Sequence, residues 1–417
     1  MTCISGTLGA VIDREGGLIQ TGPFGSQLHQ SDYTDDGIPV IMPKDITDGR
    51  VDSSSVAHIS DETARRLRRH RLRPRTIVLP RRGEITKRAF IRHGQDGWLC
   101  GTGCLQIVLD DGAQLLPEFL YYYMEQPEVS GWLVQHAVGT TMLNLSAGIV
   151  ADLPVRYPSV PDQRRIAGIL WAYDDLIENN RRRMALLEDA ARMIYQEWFV
   201  RLRFPGHEKV RIVDGVPEGW EKRVLADLCN EVRESVSPAT MDSCTPYIGL
   251  EHMPRRSITL SAWGQAGDVA SSKHRYLSGD ILFGKIRPYF HKVGVALTDG
   301  VASSDAIVIR PVEQRFHSLV LMTVSSDQFV AMTSQTMREG SKMPRADWKL
   351  MKAYTVLLPP EALLTEFDDT ISQVVQQLRN LAFQNQRLGQ ARDILLPKLM
   401  SGEIEVSGDP TAEPRII

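Results

Sequence analysis

The sequence has few cysteines and no long apolar run. Its five cysteines, an odd number among 417 residues, are scattered and do not form the framework of a disulfide-rich secreted protein. Cys100 and Cys104 are followed by no second Cys/His pair, so a zinc site is not predicted. The N-terminal stretch lacks a basic segment followed by an apolar one, and no apolar run approaches the ~18 residues that span a bilayer. We therefore expect a soluble, cytoplasmic protein that is not exported and has no membrane partner.

An excess of charge of one sign is lacking as well. The 48 Lys and Arg residues stand against 51 Asp and Glu residues, which gives a net charge of −3 and a pI near 6.4. This balance excludes a uniformly basic nucleic-acid binder, but it does not exclude a protein whose basic residues are concentrated in particular loops. At roughly 100–200 residues per domain, the length predicts two or three domains.

Motifs of the common catalytic sites are missing. There is no P-loop, and Gly101-Thr102-Gly103 lacks the third glycine and the acidic residue of a dinucleotide-binding fingerprint. The Leu358–Glu361 segment shares only its two prolines with the NPP-aromatic motif of amino-methyltransferases. No nuclease or G-x-S-x-G motif is present, and the ten histidines do not cluster at metal-ligand spacing. We predict neither a catalytic site nor a metal site in this chain.

An internal repeat divides the sequence into two modules. Short segments recur in the same order at offsets that drift only slowly, which indicates two copies of one module. The matched pairs are Ile77–Leu79 with Ile281–Phe283, Ile107–Leu109 with Ile307–Ile309, and Gly139–Met142 with Gly340–Met343.

Each module is predicted to contain a mixed α/β lobe followed by a long helix. Short β-branched runs between Gly, Pro, Asp and Ser residues predict strands, and segments such as Pro117–Tyr123 predict helices between them. The predicted fold class is α+β, with two similar mixed α/β lobes joined by two long antiparallel coiled-coil helices. The predicted boundaries are 1–160 for the first lobe, 161–204 for the central helix, 205–216 for a linker, 217–360 for the second lobe, 361–403 for the C-terminal helix and 404–417 for a flexible tail.

The two helices are expected to pair with each other. Apolar residues recur three and four apart over about four heptads, a spacing that specifies a coiled-coil seam. At ~1.5 Å per residue, each helix is roughly 50–57 Å long. One asparagine interrupts each stripe, Asn180 in the first and Asn385 in the second. A buried seam asparagine fixes the register of the pair at some cost in stability; the alternative is that both asparagines lie at the rim.

Basic residues are concentrated around the same predicted strand of each module. Twelve Lys and Arg residues lie between Arg65 and Arg92 against one acid, and five lie between Lys273 and Lys292 against one acid. Such concentrations attract phosphates, and Arg or Lys can also bridge guanine O6 and N7 in the major groove. The alternative is a solvated helical face. The predicted DNA contacts are Arg81, Arg82, Lys87 and Arg88 in the first lobe and Lys285, Arg287 and Lys292 in the second.

Three turns are further candidates. Thr140 and Thr141 in the first module, and Ser341 and Lys342 in the second, offer hydroxyl and amide donors for phosphate. The Gly22–Gln27 turn can bring its backbone close to a ligand. All three are equally compatible with ordinary turns.

Taken in order, several motifs resemble those of the specificity (S) subunits of type I restriction-modification systems, over essentially the whole chain. The second module lacks the E-Q-x-x-I-A pattern that opens the helix in this family. The segments that carry the resemblance are Gly22–Leu28, Leu153–Val155, Pro161–Ala167, Asn180–Arg183, Glu197–Phe199, Gly215–Trp220 and Arg392–Gly402.

The resemblance implies two target-recognition domains, each reading one half of a bipartite double-stranded DNA site. Antiparallel helices set the spacing and dock two modification (methyltransferase) subunits. It also implies that this chain is not an enzyme and binds no cofactor. S-adenosylmethionine would bind in the modification subunits, and ATP and Mg in the restriction/translocase subunits of this phage-defence complex. Three other interpretations stay open: the recognition subunit of another multi-subunit DNA methyltransferase or restriction system, a coiled-coil interaction protein without DNA function, and a hidden methyltransferase or nuclease.

Overall fold

The computed structural model describes residues 3–47, 49–237, 240–335 and 344–406. The chain forms two compact units. The first unit contains the residues up to Asp175 together with those from Gly389 onward, and the second contains Leu176–Leu388. Each unit includes one mixed α/β lobe and a part of both long helices, which confirms the predicted fold class.

Lobe 1 comprises the described residues before the first long helix. Its helices are α1 (Leu8–Glu15), α2 (Asp61–Arg66), α3 (Pro117–Tyr123), α4 (Pro127–His136) and α5 (Ala147–Ala151). Its strands are β1 (Ile4–Thr7), β2 (Gly17–Thr21), β3 (Tyr33–Thr34), β4 (Ile38–Ile41), β5 (Ile46–Thr47), β6 (Arg50–Val51), β7 (Ala57–Ile59), β8 (Ile77–Pro80), β9 (Ala89–Phe90), β10 (Leu99–Cys100), β11 (Cys104–Leu109) and β12 (Pro154–Tyr157).

The central sheet of lobe 1 has the strand order β2-β11-β8-β9 and is antiparallel. Side chains alternate between its two faces because successive residues of a strand point to opposite sides. Ile77 and Ile107 enter a core that also contains residues of α1, α3 and α5, whereas Val78 and Cys104 enter a second, smaller core. Both faces of the sheet are therefore buried. A second sheet has the order β10-β4-β7-β3, and β1 pairs with β12 at the ends of the lobe.

Lobe 2 lies between the two long helices in the chain. Its helices are α7 (His317–Val324), α8 (Asp327–Gln335) and α9 (Trp348–Met351). Its strands, preceded by the hairpin β13 (Ile212–Val213) and β14 (Val216–Pro217), are β15 (Glu221–Val224), β16 (Cys229–Val232), β17 (Ser235–Val236), β18 (Pro246–Ile248), β19 (Thr259–Leu260), β20 (Gly264–Gln265), β21 (Lys273–Tyr276), β22 (Ile281–Gly284), β23 (Val293–Ala296), β24 (Gly300–Ala302), β25 (Ala306–Pro311) and β26 (Thr355–Leu358).

The sheets of lobe 2 repeat the pattern of lobe 1. The order β16-β25-β22-β23-β19 corresponds to β2-β11-β8-β9 with one added strand. The parallel pair β18 and β24 corresponds to β4 and β10, and β15 pairs with β26 as β1 pairs with β12. The internal repeat is thus a repeat of three-dimensional structure.

Strand pairing corrects one detail of the repeat. Ile77 pairs with Ile107 in lobe 1, and Ile281 pairs with Ile309 in lobe 2. The structural counterpart of Ile107 is therefore Ile309, so the match of Ile107 with Ile307 is wrong by two residues. A shift of two leaves the alternation of side chains between the two faces unchanged. The hydrophobic pattern alone consequently cannot detect this error.

The long helices are α6 (Val160–Tyr195), which continues as π-helix over Gln196–Val200, and α10 (Glu361–Ser401). In the second unit, Phe199 packs against Phe367 with ring centroids 4.8 Å apart, and Asn180 contacts Asn385. As α6 advances from Asn180 to Phe199, α10 therefore runs back from Asn385 to Phe367. The helices pair in antiparallel orientation, as the sequence predicts.

The two seam asparagines contact each other. Asn180 is buried, and its Nδ2 donates a hydrogen bond of 3.0 Å to Oδ1 of Asn385. This finding favours the seam over the rim for Asn180. The role of the pair in fixing the register stays a prediction.

Gln163 fastens the start of α6 to lobe 1. It is fully buried, and its Oε1 accepts a hydrogen bond of 2.8 Å from the backbone N–H of Leu116, next to the start of α3. Its Nε2 donates to the carbonyl oxygens of Gln114 and Pro158. This glutamine belongs to the Pro161–Ala167 motif, so one residue of the family pattern has a clear structural task.

An ionic network that the sequence does not reveal joins α6 and α10 to lobe 1 within the first unit. Arg392 pairs with Asp174 at 2.5 Å and with Glu125 at 3.7 Å, and Arg88 pairs with Glu125 at 2.7 Å. The hydroxyl of Tyr122 donates to the other Asp174 oxygen at 2.7 Å. Burial opposes the charge of Arg392, but the two carboxylates outweigh this effect and raise its pKa.

Candidate nucleic-acid interface

The segment from Arg81 to Gly83, here called the basic turn of lobe 1, follows β8 directly. The backbone N–H of Arg81 donates to Gly103 O at 2.6 Å, and Leu145 donates to Arg81 O at 2.8 Å. Arg82 forms an isolated β-bridge with Asn144, and Gly83 has the left-handed φ of 79° that the turn requires. These bonds present Arg82 to solvent at the end of a buried strand.

The loop containing Thr140 and Thr141 lies beside this turn. Two backbone hydrogen bonds of 3.0 and 2.9 Å between Val138 and Asn144 close the loop, and both threonines are exposed. Because Asn144 also bridges Arg82, the fold brings together two segments that are about 60 residues apart in the sequence. The predicted contacts Arg81, Arg82, Thr140 and Thr141 therefore belong to one neighbourhood.

Phe24 contributes an aromatic ring to the same neighbourhood. The guanidinium of Arg81 lies 5.4 Å from the Phe24 ring centroid, and its Nε donates to Asn144 Oδ1 at 3.3 Å. These two contacts hold Arg81 in a defined orientation. The Gly22–Gln27 turn can adopt this path because Gly22 lies against Gly101, where an added Cβ would be only 2.0 Å from a carbonyl oxygen.

Lys87 and Arg88 are placed differently. Lys87 pairs with Glu84 at 2.5 Å. Arg88 is buried, pairs with Glu125, and donates from Nε to the Tyr121 carbonyl at 2.8 Å. The prediction of Arg88 as a DNA contact is therefore corrected: its charge is neutralised inside the lobe, where it stabilises the ionic network of Arg392.

Ion pairs also account for much of the basic segment before β8. Arg66 pairs with Asp32, Arg73 with Asp110, and Arg75 with both Asp111 and Glu118. Their acidic partners are distant in the sequence, so the local excess of positive charge overstates the positive charge that these residues present to solvent.

Lobe 2 repeats the turn with different side chains. Lys285 takes the place of Arg81: its N–H donates to Asp305 O at 2.7 Å, and Ala346 donates to Lys285 O at 2.8 Å. Ile286 and Arg345 form the isolated bridge that Arg82 and Asn144 form in lobe 1. The predicted equivalence of the two basic loops thus holds in the backbone hydrogen bonds.

Arg287 is exposed and takes the place of Gly83. Its N–H donates to Pro344 O at 2.9 Å, and its φ is 50°, left-handed like that of the glycine. The side chains of Lys285 and Lys292 bond to backbone carbonyls, those of Ser304 and Leu250 respectively. Burial lowers the pKa of Lys292.

Ser341 and Lys342 lie outside the described residues, so their predicted role is unaffected. They belong to the chain segment that immediately precedes Pro344, as Thr140 and Thr141 immediately precede the segment that bonds to the turn of lobe 1.

Within the described ranges, no group of three or more His, Cys, Asp or Glu side chains has the arrangement of a metal site. Burial raises the pKa of the Cys100 thiol to about 12, which disfavours the thiolate that zinc binds. None of the described helices combines the length and the apolar composition that a membrane span requires.

Comparison with known proteins gives consistent results. Residues 29–189 match the model of the type I restriction modification DNA specificity domain. The MjaIX specificity subunit of Methanocaldococcus jannaschii is 22% identical over 395 residues, which cover 90% of this chain and 88% of that protein. The HindI specificity subunit of Haemophilus influenzae is 18% identical over 384 residues, 76% of this chain and 83% of that protein.

The fold is also similar to a solved structure. The crystal structure of the S subunit from M. genitalium superposes with a TM-score of 0.54 at 16% identity, covering 98% of this chain and 97% of that one. With the repeated lobes and the paired helices in view, this chain matches the DNA specificity domain of type I restriction-modification systems over residues 29–189, and it is similar to specificity subunits of such systems over most of its length.

Proposed function

We propose that each lobe contacts one half of a split duplex DNA site through its basic turn, while α6 and α10 set the spacing between the halves. The observation that carries this proposal is that both lobes repeat one backbone arrangement. In each lobe the first residue of the turn is a cation, Arg81 in lobe 1 and Lys285 in lobe 2. The neighbouring side chains differ, Arg82 and Asn144 against Ile286 and Arg345. Different side chains on one scaffold suit the reading of two different half-sites.

The helices are also proposed to dock two modification subunits. Leu186 and Met193 lie one heptad apart on α6, and the two residues are 70% and 65% exposed. Large apolar residues at such spacing on a solvent-facing helix are typical of a protein interface. Ile212 and Val213 of the β13–β14 hairpin add further exposed apolar surface in the same unit.

In this proposal the chain itself catalyses nothing. Adenine methylation takes place in the modification subunits, which bind S-adenosylmethionine. Translocation and cleavage take place in the restriction subunits, which use ATP and Mg. Methyl transfer by the purified chain alone, measured with labelled S-adenosylmethionine and duplex DNA, would contradict this division of labour.

The function is tested by expressing the chain with its modification subunit and mapping modified bases by single-molecule sequencing. The expected result is a split motif. Lys285→Ala combined with Arg287→Ala should relax one half only, because both residues lie in lobe 2. The matched control, Lys222→Ala with Arg223→Ala, removes the same charge from an exposed strand of lobe 2 and should leave the motif unchanged. A continuous motif, or equal loss in both halves, would disprove the two-lobe assignment.

A further inference from the structure

A strained loop of lobe 2 displays one aromatic ring. Pro288–Phe290 is bracketed by Arg287 and His291, whose φ values of 50° and 52° are left-handed. This conformation is unfavourable for residues other than glycine, and it persists only when the surrounding structure enforces it. Such strain is concentrated at functional sites, so the loop calls for an explanation beyond packing.

Several contacts enforce the conformation. The guanidinium groups of Arg255 and Arg287 lie 4.1 and 5.8 Å from the centroid of the Phe290 ring. The N–H of Arg256 donates to His291 O at 2.9 Å, and Nε2 of His291 bonds to Ser325 O at 2.8 Å. These contacts hold the loop on the side that faces the lobe.

The side chain that this loop presents to solvent is Tyr289. It is 52% exposed and makes an edge contact with Phe290 at 5.0 Å between centroids. All Phe, Tyr and Trp residues of the chain lie within the described ranges, and two of them are exposed: Tyr289, and Phe24 at 51%. Each lobe thus exposes one aromatic ring, and in each lobe that ring lies beside the basic turn.

The two rings come from different segments. Phe24 follows β2 and contacts Arg81, whereas Tyr289 lies in the loop after β22 with Arg287. In lobe 1, the loop after β8 contains the buried Ile85 instead of an exposed ring. The repeat of the backbone therefore does not explain the rings, because each lobe supplies its ring independently.

We propose that Phe24 and Tyr289 are apolar base contacts, one for each half-site, and that they determine specificity alongside the basic turns. An uncharged ring adds nothing to phosphate neutralisation, whereas it can pack against a thymine methyl group or wedge against a base step. The cations beside each ring would contact the DNA phosphates, while the ring itself would contact the bases. This inference rests on the proposed function.

The test uses the complex of the chain with its modification subunit. Binding is measured for a duplex that carries the mapped motif and for a scrambled duplex of equal length, over a range of salt concentrations. Tyr289→Ala and Phe24→Ala should each weaken binding to the motif roughly 10- to 100-fold. Affinity for the scrambled duplex and the slope of log affinity against log salt should not change. Tyr289→Phe should retain binding.

Leu277→Ala in lobe 2 and Leu18→Ala in lobe 1 are the controls, since both residues are similarly apolar and exposed, and they should have no effect. Mapping of modified bases should show that Tyr289→Ala relaxes the same half of the motif as Lys285→Ala combined with Arg287→Ala. Equal loss on both duplexes, or unchanged binding to the motif, would overturn the inference while leaving the proposed function intact. A wild-type complex that does not distinguish the two duplexes would overturn both.

Discussion

Contacts between residues far apart in the sequence decide what individual side chains do. Arg88 lies in a basic segment, yet its ion pair with Glu125 removes it from the predicted DNA contacts. Gln163 lies in a family motif at the start of α6, yet its amide group is fully used by three backbone partners. Neither outcome can be predicted from the local sequence, because the fold places the partners of Arg88 and Gln163 beside them from other parts of the chain.

Gln163→Ala should destabilise the first unit. It leaves the Leu116 N–H and the Gln114 and Pro158 carbonyls without their partner, and each unsatisfied buried group costs about 1–3 kcal/mol. We expect the free energy of unfolding, measured with urea, to fall by about 2 kcal/mol or more. Arg164→Ala, at the exposed neighbouring position, is the control. Equal effects of the two substitutions would contradict the assigned role.

His291 makes the stability of the second unit dependent on pH. Burial lowers the pKa of His291 below the ordinary value of 6.5. The positive charges of Arg256 and Arg192 also lower this pKa, whereas the charge of Asp327 raises it. The unfolded chain therefore takes up the proton first as pH falls, so the stabilisation is present above about pH 6.5 and is lost below it. His291→Asn should lower the urea midpoint at pH 7.5 and reduce the further loss of stability between pH 6.5 and 5. An equal loss of stability between pH 6.5 and 5 in the wild-type protein and in His291→Asn would refute this assignment.

At the scale of secondary structure, the seam between α6 and α10 includes two polar side chains, Asn180 and Asn385. Polar groups in an apolar seam are tolerated when they bond to each other, as Asn180 and Asn385 do. Asn385→Leu should lower the free energy of unfolding, because it removes the nearer acceptor of the buried Asn180 amide and leaves only Gln384 Oε1, at 3.5 Å.

Asn180→Leu combined with Asn385→Leu should recover or exceed wild-type stability, since the seam becomes wholly apolar. The double variant should also lose its single helix register, which size-exclusion chromatography with light scattering would detect as additional oligomers. A double variant as unstable as the sum of the single variants would show that the two side chains are not coupled.

Much of the arrangement of elements could be predicted from the sequence. The seam of the long helices follows from a spacing that few other structures share, and the basic turns follow from the repeat. The register of β11 and β25 could not be predicted, because a shift of two residues preserves the same inward pattern. The exposed ring of Tyr289 could not be predicted either, since its exposure depends on the left-handed conformations of Arg287 and His291, which the sequence does not reveal.

For the whole molecule, the exposed apolar residues of α6 predict how the complex assembles. Leu186→Glu with Met193→Glu should abolish co-purification with the modification subunit, because two carboxylates would have to be desolvated in the interface. The unfolding midpoint of the isolated chain should not change. Val312→Glu with Leu350→Glu, at positions of comparable character in lobe 2, is the control. Retained co-purification of the first variant would place the docking surface elsewhere.

The chain enters and leaves each lobe at neighbouring points, because the first strand of the lobe pairs with its last. β1 pairs with β12, and β15 with β26, through four residue pairs each. Genetic exchange with breakpoints at these strands would transplant a lobe whole, and the incoming lobe would have to match this strand pair and the contacts that the lobe makes with α6 and α10. Under the proposed function, such an exchange would replace one half of the recognition sequence and leave the other half unchanged.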